Sequence, residues 1–181
     1  MKNSNKIIGS IKESDIFPDQ VSTPEGEWGE ERQSVRIVLF DNQGKIALGF
    51  YPSNNTSEEE YLLPGGGVEK NEPILDALVR ESLEETGCHI KNIKKLGIIK
   101  EYGVGKKRKH NQDTYCFTAE VDGEKMLPQY TKKEQQDLLE VHWLTLEKAL
   151  EAINNQPLSF NKVRSLMCLE EVRKSKTALA T

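Results

Sequence analysis

Apolar and polar positions along the chain alternate with two different periods. SVRIVLF (34–40) and KIALGFY (45–51) are β-rich runs separated by the turn DNQG, which predicts a hairpin. YLLP (61–64) then runs into Gly65, Gly66 and Gly67, and residues 72–86 read as a helix. Asn71 or Glu72 is placed to cap it, Pro73 suits its first turn, and Gly87 is the left-handed residue expected at its end. Strand material follows at 90–104 and 114–121, with the basic loop KKRKHNQD (106–113) as the join of a second hairpin. LLEVHWLTL (138–146) reads as a further strand, while LEKALEAI (146–153) and FNKVRSLMCLEEVRK (160–174) have helical spacing.

Strands interleaved with helices predict an α/β (α+β) domain whose mixed sheet is covered by helices. Residues 1–33, broken by Pro18, Pro24, Gly26 and Gly29, are expected to form an N-terminal arm or a short edge element. The folded domain is expected over 34–174 and a C-terminal tail over 175–181.

Composition narrows the class. A chain of 181 residues with 36% hydrophobic and 30% charged positions is globular rather than disordered, collagen-like or held by a disulfide framework. No run approaches the ~20 apolar residues of a membrane span, and the N-terminus lacks the apolar stretch of a secretory signal, so a cytoplasmic location away from the membrane is expected. Cys88, Cys116 and Cys168 are odd in number and lack zinc-type spacing, which reads as reduced thiols. A net charge of −4 supplies no global field for a nucleic-acid backbone, so no stable nucleic-acid partner is expected.

The helix at 72–86 carries the chemistry. At 100° per residue, Glu84 falls about 60° to one side of Glu81 and Glu85 about 40° to the other. Leu75, Leu78, Val79, Ser82, Leu83 and Thr86 fall on a neighbouring arc, expected to pack on the sheet. Acid clusters on helices are usually solvated faces. Here, however, Glu81 and Glu85 repel one another across one turn, late in a helix whose dipole already opposes them. A hard divalent cation with oxygen ligands, such as magnesium, would offset this. Gly65, Gly66 and Gly67, just upstream, permit the close backbone approach that positioning a phosphate chain requires.

The stretch Gly66 to Cys88, GGVEKNEPILDALVRESLEETGC, resembles the Nudix box: glycine, five residues, Glu72, seven residues, Arg80, Glu81, an apolar position, any residue, Glu84, Glu85, any residue, Gly87 and an apolar residue. Only Ser82 departs from it, at the first apolar position. The resemblance implies a mixed β-sheet sandwiched between helices and hydrolysis of a nucleoside diphosphate linked to another group. It implies Glu81, Glu84 and Glu85 as ligands of Mg2+, with Mn2+ as a substitute, and structural roles for Glu72, Arg80 and Gly87. Gly65, Gly66 and Gly67 would then meet the substrate. Water would be the nucleophile, with Glu84, Glu85 or a loop glutamate accepting its proton; Glu134 is the first loop candidate and Glu140 the second.

In this family a proline downstream of the box is associated with ADP-ribose hydrolases, and none occurs between Pro73 and Pro128. Nucleoside triphosphates are therefore the first substrate class. The alternative is a catalytically silent module that senses a nucleotide, whose mark would be a lost box glutamate. Trp28, Tyr51, Tyr61 and Tyr102 are candidates for stacking on a base, although each is more often packing. The run Lys106 to His110 is more simply a solvated loop than a phosphate contact, and His142, beside Trp143, reads as structural. A homodimer, with the arm covering a strand edge, is a further expectation.

Overall fold

A computed structural model describes residues 6–18, 29–52, 59–104, 110–130 and 139–179. The strands are β1 (Ile7–Lys12), β2 (Arg32–Phe40), β3 (Ile46–Tyr51), β4 (Glu60–Leu62), β5 (His89–Val104), β6 (His110–Asp122) and β7 (Glu140–Leu144). The helices are α1 (Glu13–Ile16), α2 (Ile74–Thr86), α3 (Leu146–Asn154) and α4 (Phe160–Leu179). One sheet takes the order β1-β5-β6-β2-β3-β4, with β7 also paired to β3. It is mixed, because β1 runs parallel to β5 and β2 parallel to β6 while the remaining pairs are antiparallel.

The alternation in β2 divides the protein into two cores. Val35, Ile37 and Leu39 are wholly buried on one face with Ala77 and Leu78 of α2. Val38 joins Ile46 and Leu48 on the other, under Ala149 and Ile153 of α3 and Cys168 and Leu169 of α4. Period-two strands feed both faces, so helices are needed on both, and a sandwich results. Cys88, Cys116 and Cys168 are free and buried. No helix among the described residues is long and apolar enough to cross a membrane.

Two expectations change, and one pair of alternatives is decided. The hairpin at 34–51 forms, with Asp41 accepting the N–H groups of Gln43 and Lys45, but β2 and β3 stay in register only at Phe40 and Ile46. Beyond that point β2 turns to β6 and β3 to β7. Of the two expectations for residues 1–33, an arm or a short edge element, the structure supplies the edge element, β1, whose Ile11, together with Ile16 of α1, is buried. The tail expected at 175 is helical, since α4 continues to Leu179.

Candidate active site

The site is built where a loop is stitched to β2 and faces α2. Ile37 N–H donates to the Pro64 carbonyl at 3.0 Å, and Val35 N–H to the Gly66 carbonyl at 2.9 Å. Gly65 sits at φ 132°, and a β-carbon there would lie 2.2 Å from the Val35 carbonyl oxygen, so only glycine fits. The loop's backbone is thereby held as an extension of the sheet.

α2 begins at Ile74 with Pro73 at its cap position and no side-chain cap. Asn71 instead takes a left-handed φ of 67°, and the Glu72 carboxylate accepts the Glu69 N–H at 2.8 Å. Gly87 ends the helix at φ 65°. Immediately after the sheet, Met126 N–H donates to the Gly87 carbonyl and Gln129 N–H to the Glu84 carbonyl, both at 2.9 Å, so the segment leading toward residue 131 runs along the end of α2.

The buried face of α2 differs from the expected one. Leu78, Ser82 and Thr86 are buried, but Leu75 and Val79 are 51% and 41% exposed, and Glu81 is only 7% exposed. The inward arc therefore runs from Ala77 and Glu81 through Leu78 and Ser82 to Thr86, and takes in Glu81 near one edge. Glu85 Oε2 accepts the Gly65 N–H at 2.8 Å. The Glu81 carboxyl lies against Gly66, whose hypothetical β-carbon would be 2.4 Å from Oε1. Ser82, the departure from the box, donates to the Cys88 carbonyl at 3.1 Å, which satisfies a hydroxyl at a position normally apolar.

Arg80 straps loop and helix together. Its Nε and Nη2 donate to the two Glu72 oxygens at 2.8 and 2.9 Å, and Nη2 also donates to the Gly67 carbonyl at 3.1 Å. Nη1 donates to Glu81 at 2.7 Å and Glu84 at 3.1 Å. The hydrogen bond from Arg80 holds the Glu72 carboxyl down at about 2, and the same bond pushes the guanidinium upward. Burial pushes Glu81 up, with Arg80 acting against that shift.

The donor set suits a hard cation: three carboxylates on one arc, one of them desolvated in a glycine cradle. The cage is not closed, since among the described residues no three acidic, histidine or cysteine side chains converge, and Arg80 stands between Glu81 and Glu84. Glu134, Trp28 and Lys106 to Lys109 lie outside the described residues. Glu140 pairs with His142 on β7 at 3.2 Å, and His142 stacks on Phe50 and meets the Tyr61 hydroxyl, so these groups form a cluster of their own.

Two groups lay beyond the sequence reading. Glu101 and Arg164 form a fully buried ion pair, with Arg164 Nε and Nη2 at 2.9 and 2.6 Å from the carboxylate. Arg36 is half-buried near them, its charge disfavoured by desolvation and by the nearby Arg164. The signal for Arg36 was present, as a lone cation inside the apolar run SVRIVLF. Beside the glycine loop, where Val68 to Asn71 continue it, a cleft of about 630 Å³ is lined also by Arg32, Lys100, Tyr102, Gln112 and Asp113, among others.

This combination of sandwich, glycine loop and box helix agrees with the comparisons to known proteins. The family model of the NUDIX domain matches residues 30–164, and the chain belongs to the Nudix family. It is 30% identical to the RNA pyrophosphohydrolase of Bartonella bacilliformis over 72% of this chain and 71% of that protein. It is 34% identical to the low-salt glycan biosynthesis protein Agl8 of Haloferax volcanii over 44% of this chain, spanning 53% of that protein. A NUDIX hydrolase from Nitrosomonas europaea shares the fold, with a TM-score of 0.61 at 19% identity over 81% of this chain and 90% of that one. The MutT protein from Methanosarcina mazei Go1 gives 0.54 at 22% identity, over 81% and 96%.

Proposed function

We propose that this chain is a divalent-metal-dependent pyrophosphohydrolase that cleaves the diphosphate linkage of a nucleoside triphosphate or nucleotide conjugate. The observation that carries this reading is the inward arc of α2, which turns Glu81 and Glu85 toward Gly65 and Gly66 rather than to solvent. Glu81, Glu84 and Glu85 would hold Mg2+, with Mn2+ as a substitute. When bound, such a cation supplies the positive charge that offsets phosphoryl oxygens and makes water easier to deprotonate.

The remaining work falls to the chain. Gly65, Gly66 and Gly67 leave room for a phosphate against the backbone, and the Arg80 strap keeps that loop at a fixed distance from the helix. Glu84 and Glu85 are the box candidates for accepting the proton of the attacking water, and Glu134 remains the loop candidate. The cleft beside the loop has the size of a small-molecule site, and the nucleoside would extend into it, with Tyr102 as a stacking surface.

Among the relatives, several are named RNA pyrophosphohydrolase, which supports a 5′-triphosphate as the group attacked. The net charge of −4 favours a free nucleotide over an RNA end. The test is incubation with magnesium and nucleoside triphosphates, nucleotide sugars, dinucleoside polyphosphates and 5′-triphosphorylated RNA, beside Glu85→Gln, with products identified by mass. Cleavage that collapses in the variant establishes the hydrolase and its substrate class.

One observation favours a second reading, a nucleotide-sensing module. Arg80 ties up Glu81 and Glu84 in ion pairs, which a silent site has no need to release. A nucleotide that raises the melting temperature with magnesium yet survives intact would select it.

A further inference from the structure

We propose that Arg36 receives a phosphate group of the substrate's diphosphate, acting from the sheet side of the site while the box carboxylates act from the helix side. The proposal rests on the hydrolase reading above and concerns a residue outside the box. Its placement comes from the backbone. Val35 N–H bonds the Gly66 carbonyl and Ile37 N–H bonds the Pro64 carbonyl, so Arg36 stands opposite Gly65. A β-carbon on Gly65 would come 3.1 Å from the Arg36 Cα, and the Gly65 N–H is bonded to Glu85. Arg36 and Glu85 therefore flank the same glycine.

The charge of Arg36 is the one left over. Arg80 is spent on Glu72, Glu81 and Glu84. Arg164 is spent on Glu101 and on Asn161, whose side-chain oxygen lies 2.9 Å away. Arg36 donates to the carbonyl of its own neighbour Val35 at 2.7 Å and pairs with no carboxylate among the described residues. A guanidinium carries five N–H donors in a planar fork that matches phosphate oxygens, so most of this one is available.

Electrostatics points the same way. Burial and Arg164 both work against the Arg36 charge, and the charges of Glu85, Glu101 and Glu81 offset them without forming an ion pair with it. A partly desolvated cation with no carboxylate partner is costly unless an anion completes it. Once a cation neutralises Glu81 and Glu85, that distant compensation weakens and the demand for an anion beside Gly65 grows. A substrate diphosphate over the glycine loop supplies one, and its chemistry, two linked phosphates with several charged oxygens, suits a bidentate contact.

The test uses inorganic pyrophosphate as probe, titrated calorimetrically in the presence of magnesium into wild type, Arg36→Lys and Arg36→Met, with KM and kcat for the cleaved nucleotide measured in parallel. Thermal unfolding of each variant separates loss of fold from loss of binding. Wild type is expected to bind pyrophosphate, Arg36→Met to lose roughly tenfold or more in pyrophosphate affinity with a comparable rise in KM, and Arg36→Lys, which keeps charge but not the fork, to fall between. If Arg36→Met is unfolded, Arg36→Lys alone decides, because a folded Lys variant indistinguishable from wild type in both measurements overturns the proposal. Absence of pyrophosphate binding by wild type also overturns it. Hydrolysis that persists while the Arg36 variants match wild type removes this proposal and leaves the hydrolase reading standing. Pyrophosphate binding through Arg36 without turnover of any nucleotide does the reverse.

Discussion

Glu81 and Gly66 are in contact across the loop-helix boundary, so close that a β-carbon on the glycine would sit 2.4 to 2.7 Å from all three atoms of the carboxyl group. The glycine thus sets where the carboxylate stands. Gly66→Ala should fold, since what the methyl meets is the end of a side chain rather than backbone, but it should displace Glu81 by the better part of an ångström. A displacement of that size costs on the order of 100-fold in kcat/KM. Steady-state kinetics beside a melting curve checks this, and an alanine variant with full activity would show that Glu81 has no fixed position to lose.

Glu81 is also a stability cost in the metal-free chain. Burial raises its pKa, so its charged form weighs against folding, and increasingly so as pH rises past the ordinary carboxylate range. Glu81→Gln should therefore melt at the same temperature as wild type or a few degrees higher at pH 7 in EDTA. Addition of magnesium should raise the wild-type melting temperature more than that of the variant, and activity should fall with the carboxylate.

The strap has the opposite sign. Glu72 is held at about 2 against an ordinary 4.5, chiefly by the hydrogen bond from Arg80. A depressed carboxylate stabilises the fold fully above its unfolded value and loses that contribution as pH falls toward its folded value. Glu72→Gln should cost roughly 1 to 2 kcal/mol at pH 7, and its difference from wild type should shrink between about pH 4.5 and 2. Urea denaturation across that range is the measurement.

The Glu101–Arg164 pair joins β5 to α4 with both side chains almost wholly buried. Removing one partner leaves the other charge unmatched, so Arg164→Met should destabilise by about 3 to 5 kcal/mol. Replacing both together with apolar residues should recover much of that loss, which a double-mutant cycle in urea would read.

What the sequence made legible and what it hid divide by range. The glycine loop, the helix end at Gly87 and the spacing of the three glutamates are local, and local rules read them. The expected inward face of α2 holds for Leu78, Ser82 and Thr86, but apolarity alone does not mark its edge, since Leu75 and Val79 stay exposed and the charged residue Glu81 goes in. Ala77 and Leu78 pack on the sheet, and the Gly65 N–H and the Gly66 surface receive the carboxylates of Glu85 and Glu81 beside them. Glu101 sits in a strand whose alternation gives no sign of an arginine 63 residues downstream. For β1 the sequence offered no more than a short edge element as one of two alternatives, because a parallel edge strand of six residues has no turn to announce its partner.

The pairing of β2 with β6 has a consequence for how the chain comes to be made. Arg32 to Phe40 lie alongside Gln112 to Glu120, so the strand that holds the glycine loop waits some eighty positions for its second neighbour. During synthesis the whole of α2 leaves the ribosome before that neighbour exists. The carboxylates that face Gly65 and Gly66 are thus assembled late, and until then β2 presents an open edge on the side β6 will fill. Such an edge invites pairing with other chains, so the nascent protein is most exposed to aggregation while its box is already complete in sequence but not yet in space.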